Sequence, residues 1–527
     1  MLQVNAETVR TLVKKSAYHD SVTLLVLARQ LRSGDGIALA AALMATPANK
    51  ELLAQSGLLT PEAAAAGVND LVIVIRADSM AAAEAALSEA EAFFTAKQER
   101  LQGAGRPMPR TLESARRHLP DANLVVISVP GTFAASEARK ALSLGLHVML
   151  FSDNVALEDE VALKQLAVKK GLLLMGPDCG TAIMNGVPLG YANAVPRGRV
   201  GLVAASGTGL QQVTCLLAAR GEGVSQAIGV GGRDMTEKVG GLMTLQALDA
   251  LGADPATELI IVIGKPPAPV VREHVEARLR AIGKPCVMAL LGRDVAVRQE
   301  GLLATVATLE DACEATIAAL RGAAWTSRPF NAPPGEIHRR VQAVRQTLAP
   351  EQRAVRALYA GGTLAHEAAL ILEPLLGPVA TNLMPGSTGR HSVLDLGADE
   401  FTVGRAHPML DPTLRVEAIR QAGLEPDVAV LLLDVVLGHG AGPDPAGDLV
   451  PAIEAAQAEA RARGRDLTVV ASVIGTAGDP QGLEPQVARL EAAGAWVLPS
   501  NAQAARAAAC IAGGEPVMRS LLGPGEA

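Results

Sequence analysis

The stretch RVGLVAASGTGLQQVTCLLAARG, Arg199–Gly221, decides the fold. An aliphatic run ends at Ala204-Ala205, the turn Ser206-Gly207-Thr208-Gly209 follows, and a helix-length segment comes next. Strand, glycine turn and helix in that order form the repeating unit of a parallel sheet. Outward from it, Leu124–Val129, His147–Phe151, Leu172–Met175, Leu259–Ile263 and Cys286–Leu290 read as further short aliphatic strands, mostly separated by helix-length segments. The expectation is a multidomain α/β chain with parallel sheets and right-handed crossovers. Val428–Val436, broken only by Asp434, suits a strand buried on both faces and is far shorter than the ~20 apolar residues of a membrane span. A last α/β region has strands expected at Arg356–Tyr359, Ala429–Leu433, Thr468–Val473 and Trp496–Leu498. Upstream, three strands (Thr8–Val13, Ile37–Met44, Leu71–Arg76), a helix at Ser21–Leu31 and a long Ala/Glu-rich helix make a small α+β unit. The stretch LQGAGRPMPR, Leu101–Arg110, has the glycine and proline of a linker. The expected division is 1–100, 101–197 and 198–325, a linker over 326–352, and 353–527.

Composition narrows the function classes. The chain has 527 residues and a formal net charge of -7, with only six Phe, three Tyr and two Trp. A mildly acidic surface with few stacking rings argues against a nucleic-acid binder, and no membrane partner is expected. Cys179, Cys215, Cys286, Cys313 and Cys510 are scattered and odd in number, which reads as reduced thiols in a cytoplasmic protein, not as a disulfide framework or a metal site. MLQVNAETVRTLVKK has no apolar signal core. The ligands expected are small anions held by backbone amides and charges.

Four loops and one turn carry the chemistry. Ser206, Gly207, Thr208 and Gly209 open a helix, and free N–H groups there, added to the helix dipole, favour an anion; an ordinary Ser/Thr cap gives the same sequence. Gly361, Gly362 and Thr363 repeat the pattern in the last domain. If both helix starts aim at one point, they form a stronger anion cage than either alone. His366 and Glu367 follow in that second helix without H-E-x-x-H spacing, so they form no metal motif. Gly231, Gly232 and Arg233, in Gly-Val-Gly-Gly-Arg-Asp, permit close approach to a charged ligand. Asp178, in MGPDCGT, lies at the carboxyl end of a strand, where parallel sheets bind ligands, and neighbouring Cys179 reads as a packing residue. Lys265 ends another strand. The densest charged cluster is GRAHPMLDPTLR, Gly404–Arg415: two prolines fix a turn from which Arg405, His407, Asp411 and Arg415 are expected to project. Arg forks suit carboxylate or phosphate, and His exchanges a proton near neutrality.

These stretches resemble the FdrA family, which is itself similar to succinyl-CoA synthetase. The resemblance rests on VKKSAYHDSVTLL (Val13–Leu25), TPANKELL (Thr46–Leu53), GPDCGTAIMNGVPLGYAN (Gly176–Asn193), VAASGTGLQQVT (Val203–Thr214), SQAIGVGGRDMTEKVGG (Ser225–Gly241) and GRAHPMLDPTLR. It implies a Rossmann-like CoA-binding domain at 101–197 and two flavodoxin-like ligase domains, with Ser206-Gly207-Thr208 and Gly361-Gly362-Thr363 as the two facing helix starts. It makes coenzyme A a candidate cofactor and no metal. The departures are specific. The stretch that matches the synthetases' phosphohistidine loop, Leu290–Ala312, contains no His; the ATP-grasp domain and the glycine-rich nucleotide turn are missing. The family resemblance implies instead one subunit of an oxamate carbamoyltransferase in allantoin catabolism, converting oxalurate and phosphate to oxamate and carbamoyl phosphate alongside partner subunits. On that expectation the two helix starts hold phosphate or carbamoyl phosphate; Arg405 or Arg233 takes the oxamate carboxylate; His407 moves the proton. An ADP-forming acyl-CoA synthetase and a non-catalytic scaffold subunit are the alternatives.

Overall fold

The computed structural model describes residues 8–17, 19, 21–102, 109–293, 295–384, 386–402 and 406–523. The chain divides into two compact units, Met1–His118 with Ala398–Asp411, and Leu119–Gly397 with Pro412–Ala527.

The first unit is an antiparallel sheet with the strand order Thr8–Lys14, Leu71–Ala77, Ile37–Met44. Its central strand, LVIVIRA, shows how a period of two builds two cores at once. Leu71, Ile73 and Ile75 face one way, onto Leu24, Leu27 and Leu31 of the helix Ser21–Arg32 and Phe94 of the helix Met80–Gln102. Val72 and Val74 face the other, onto Leu53, Leu58 and Ala63.

The second unit contains three sheets. A small parallel one joins Leu124–Ile127, His147–Leu150 and Leu174–Met175. An eight-stranded sheet runs Arg298–Glu300, Leu303–Thr305, Cys286–Leu290, Leu259–Gly264, Arg197–Ala204, Val224–Gly229, Thr181–Met184, Val187–Gly190. Its five central strands are parallel. The hairpin Thr181–Gly190, ahead of the break expected at Arg197–Gly198, pairs antiparallel with Val224–Gly229 and belongs to this sheet. A six-stranded parallel sheet runs Val379–Thr381, His391–Asp395, Ala354–Tyr359, Val428–Val436, Thr468–Ile474, Trp496–Leu498. All nine residues of Val428–Val436 are buried, as its near-continuous aliphatic run requires of a central parallel strand. Among the described residues, no helix is long and apolar enough to cross a membrane.

Strand order fixes where a ligand can enter. From Arg197–Ala204 the chain passes to Val224–Gly229 on one side and later to Leu259–Gly264 on the other. From Ala354–Tyr359 it passes through Val379–Thr381 and His391–Asp395 on one side and then to Val428–Val436 on the other. Each is a topological switch point, where diverging connections open a crevice at the carboxyl end of the strand. The two glycine turns stand at these two points.

Candidate functional site

The first turn is a self-contained cap. Ser206 precedes the helix Gly207–Ala219, and its Oγ accepts the Gly209 N–H at 2.9 Å. The same hydroxyl donates to Thr363 Oγ1 at 2.6 Å, across 157 residues of sequence. Thr363 lies in the first turn of the second helix, Gly362–Leu376. The two helix starts therefore meet. Their glycines are what lets them: a Cβ at Gly361 would fall 2.9 Å from Thr208 Cγ2, and one at Gly209 would fall 3.2 Å from Thr363 Cγ2. Ser206, Gly207, Thr208, Gly209, Gly361, Gly362 and Thr363 thus form one constellation. Ser206, Gly207 and Gly362 are half-buried, while Thr208 and Thr363 are buried.

The second turn is held from a distance. Asp434, buried within its strand, accepts the Ala360 N–H at 2.9 Å and the Gly361 N–H at 2.8 Å. Gly361 therefore shapes the turn, and its N–H is not available to a ligand, contrary to its expected part in the cage. Arg415 completes the clamp. Its Nη2 donates to Asp434 Oδ1 at 2.9 Å, to the Asp434 carbonyl at 2.6 Å and to the Leu358 carbonyl at 3.0 Å. Arg415 is buried and does not project as expected. Its own pKa is pulled down by burial and supported by the Asp434 charge. Asp395, at the end of a strand that the sequence does not announce, stands beside the second helix start: a Cβ at Gly362 would lie 2.5 Å from its Oδ2.

Beneath this helix lies a buried polar floor. Glu367 accepts the Leu309 N–H at 2.7 Å and the Asn501 amide at 2.8 Å. Burial pushes its carboxyl up to about 7, against the lowering effect of the Asn501 and Leu309 hydrogen bonds. Tyr359 donates to Asn501 Oδ1 at 2.7 Å. Only tertiary contact identifies these groups, because their partners are more than 50 residues away.

The other expected residues separate from this constellation. Gly231, at φ +84°, packs on the Pro177 carbonyl, bringing its loop to that of Asp178, while Gly232 is exposed. Asp178 is exposed, and its N–H donates to the Ser152 carbonyl at 3.0 Å. Arg233 is used within the protein: its Nε pairs with buried Glu160 at 2.8 Å and its Nη2 donates to the Val155 carbonyl at 2.8 Å. This replaces the carboxylate contact expected of it. Glu160 in turn pairs with fully buried Lys164, which also reaches Asp234, each at 2.8 Å. Cys179 is buried, and burial pushes its thiol up to about 12, so it is no nucleophile. Lys265 is exposed. His407 and Asp411 belong to the first unit. His407 Nδ1 accepts the Met409 N–H at 3.3 Å, and its carbonyl accepts the N–H groups of Leu410 and Asp411. Arg405 lies outside the described residues.

Comparison with known proteins matches both ends of the chain. Residues 7–109 match the family model described as AllF, heavy metal-associated domain, and residues 358–511 match the CoA-ligase model. An uncharacterized protein, YahF of Escherichia coli K12, is 43% identical over 94% of this chain and 96% of its own length. The α subunit of the ADP-forming succinate–CoA ligase of Aquifex aeolicus is 29% identical over 36% of this chain and 62% of its own. A solved dinucleotide-forming acetyl-coenzyme A synthetase of Ca. Korarchaeum cryptofilum aligns over 80% of this chain and 87% of its own, at 15% identity and a TM-score of 0.30. The matched first unit does not fit a soft metal. Residues 7–109 hold no cysteine, and their one histidine, His19, has its ring 4.3 Å from that of Phe94. Among the described residues, no group of three His, Cys, Asp or Glu could hold a metal ion. Nor does the turn before the helix Gly131–Ser143 offer a pyrophosphate cradle: Gly131 is required there because the carbonyls of Asp153 and Asn154 press against it.

Proposed function

This chain belongs to the family of YahF, built on the succinyl-CoA-synthetase-like plan, and from that premise we propose that it is a subunit of an oxamate carbamoyltransferase in allantoin catabolism. The observation that carries the reading is the meeting of the two glycine turns at 2.6 Å between Ser206 and Thr363, in a chain whose Leu290–Ala312 stretch holds no histidine to phosphorylate. The AllF-type match of the first unit supports it.

In this reaction a phosphate oxygen attacks the ureido carbonyl carbon of oxalurate. The C–N bond to the oxamate nitrogen breaks, that nitrogen takes the proton of the hydrogen phosphate, and carbamoyl phosphate is left. The chain's part is to hold the phosphate at the paired helix starts, where the N–H groups of Gly207, Thr208 and Gly362 and the two helix dipoles favour negative charge. Partner subunits complete the site. The test is a purified complex given oxalurate with and without inorganic phosphate. Carbamoyl phosphate should form only with phosphate, and Thr363→Val should raise the KM for phosphate. A complex that consumes no oxalurate or other ureido acid ends this reading.

The CoA-ligase match over residues 358–511 favours a second reading, an acyl-CoA ligase without its own phosphohistidine. Calorimetry with coenzyme A separates the two, since a carbamoyltransferase subunit requires no coenzyme A binding.

A further inference from the structure

A recess of about 200 Å³ opens beside the second helix; His366, one turn after Thr363, lines it, while Ser206 and Thr363 do not. Its walls come from the carboxyl ends of strands in both large sheets: Pro266 after Leu259–Gly264, Gly292 and Arg293 after Cys286–Leu290, and Thr381, Leu383 and Met384 at the end of Val379–Thr381. The helix Gly362–Leu376 supplies His366, Ala369, Leu370 and Glu373. The volume is several times that of a water, ~30 Å³, and below the ~300–1,000 Å³ of drug-sized ligand sites. It suits a compact molecule.

The polar groups define what kind of molecule. His366 Nε2 lies 3.2 Å from the Leu291 carbonyl. A carbonyl only accepts, so Nε2 carries the proton and Nδ1 presents a lone pair. Burial, and then the Lys265 charge, hold the imidazole pKa below its ordinary value, which keeps that lone pair free near neutral pH. The Arg293 guanidinium is neutralised by Glu373 at 2.7 Å. Lys265, exposed and immediately before the lining residue Pro266, has no ion-pair partner among the described residues. An exposed cation next to the lining residue Pro266, close enough for its charge to act on His366, together with the imidazole and the aliphatic walls, calls for a short molecule with a carboxylate at one end and an N–H or O–H at the other.

We propose that this recess is a binding site for a short carboxylate, with its carboxylate at Lys265 and its N–H or O–H end at His366 Nδ1, and that His366 exchanges a proton with the bound molecule. The identification of that carboxylate as oxamate or oxalurate rests on the carbamoyl-transfer reading; the site itself does not. Two residues far apart in sequence thereby join: Lys265, at the end of a strand, and His366, which forms no metal motif.

The experiment titrates the full chain with oxamate, oxalurate, succinate and uncharged oxamide by calorimetry between pH 5.5 and 8. Oxamate and oxalurate should bind and oxamide should not. Lys265→Ala, an exposed change that leaves the core intact, should weaken binding about tenfold, and Leu370→Trp should abolish it by filling the recess. The ligand's N–H or O–H donates to a lone pair that only the neutral ring has, and Lys265 opposes protonation of that ring while the Arg293–Glu373 pair adds little net charge, so affinity should fall as pH drops. His366→Gln should flatten this dependence. Oxamate binding that is sensitive to Lys265→Ala and His366→Gln, in a complex that turns over no ureido acid, upholds the recess and sinks the carbamoyl reading; succinate, which has no N–H or O–H end near neutral pH, should bind more weakly than oxamate. Oxamate binding that is indifferent to Lys265→Ala and His366→Gln overturns the recess and leaves that reading standing. Failure of all three carboxylates to bind at millimolar concentration also overturns the recess.

Discussion

The two glycine turns look alike in sequence and are held by opposite means. At Ser206 the stabilising group is local: a hydroxyl caps an amide three residues on. At Gly361 no side chain caps the helix. The turn is instead gripped by Asp434, 73 residues later, which is in turn paired with Arg415. A local cap contributes about 0.5–2 kcal/mol, whereas a buried ion pair becomes costly when one partner is removed, about 3–5 kcal/mol. The second helix start is therefore tied to the integrity of its whole sheet, and the first is not.

The widest gap between the turns should open with Asp434→Ala. That substitution leaves two backbone amides without their acceptor and leaves the Arg415 guanidinium, only 4% exposed, with the Leu358 and residue-434 carbonyls but without the carboxylate that balances its charge. Denaturant unfolding should show a loss of about 3–5 kcal/mol. A loss below ~1 kcal/mol would mean that the second turn supports itself and that the contrast is wrong.

Next comes the floor under the second helix. Glu367 ionises at about 7 in the folded chain, against its ordinary 4.5, chiefly because it is buried. Below pH 4.5 it is protonated folded or unfolded. As pH rises towards about 7 the unfolded chain loses this proton first, so unfolding gains; above that the difference is constant. The stability lost across this window is on the order of 3 kcal/mol. Glu367→Gln keeps an acceptor for Leu309 and removes the titration, so its melting temperature should fall less than that of the wild type between pH 5 and 7.5. Parallel curves would show that the carboxyl is not desolvated.

Ser206→Ala tests the first turn and should cost about 1 kcal/mol by the same denaturant measurement. It removes both the Gly209 cap and the bond to Thr363, yet neither is the acceptor for a buried charge.

What was legible in the sequence follows the same division. The strands of both large sheets announce themselves wherever aliphatic runs are buried on both faces, as in LIIVIG and VAVLLLDVV. The Ser206 cap is legible because its donor and acceptor lie three residues apart. The short strands Val379–Thr381 and His391–Asp395 are not, because three residues or an alternation such as HSVLD carry no long apolar run. With that strand unread, Asp395 at its end, the second turn's anionic neighbour, goes unread too. From sequence, Arg415 and Arg233 read as forks for a ligand. A sequence shows that a guanidinium is present; only packing shows that Asp434 and Glu160 already occupy it.

Asp395 gives the finest comparison of the two turns. Both helix starts favour an anion, but the second already has a carboxylate against Gly362, while Ser206 and Thr208 bring only hydroxyls to the first. On the proposed carbamoyl-transfer reading, a phosphate shared between them is held mainly by the Gly207 side. Asp395→Asn removes the charge and keeps the shape, so inorganic phosphate should bind about threefold more tightly by calorimetry, an effect that weakens as salt screens the repulsion. Unchanged phosphate affinity in Asp395→Asn would mean that the carboxylate does not face the bound anion, and the asymmetry between the turns would then be one of support alone.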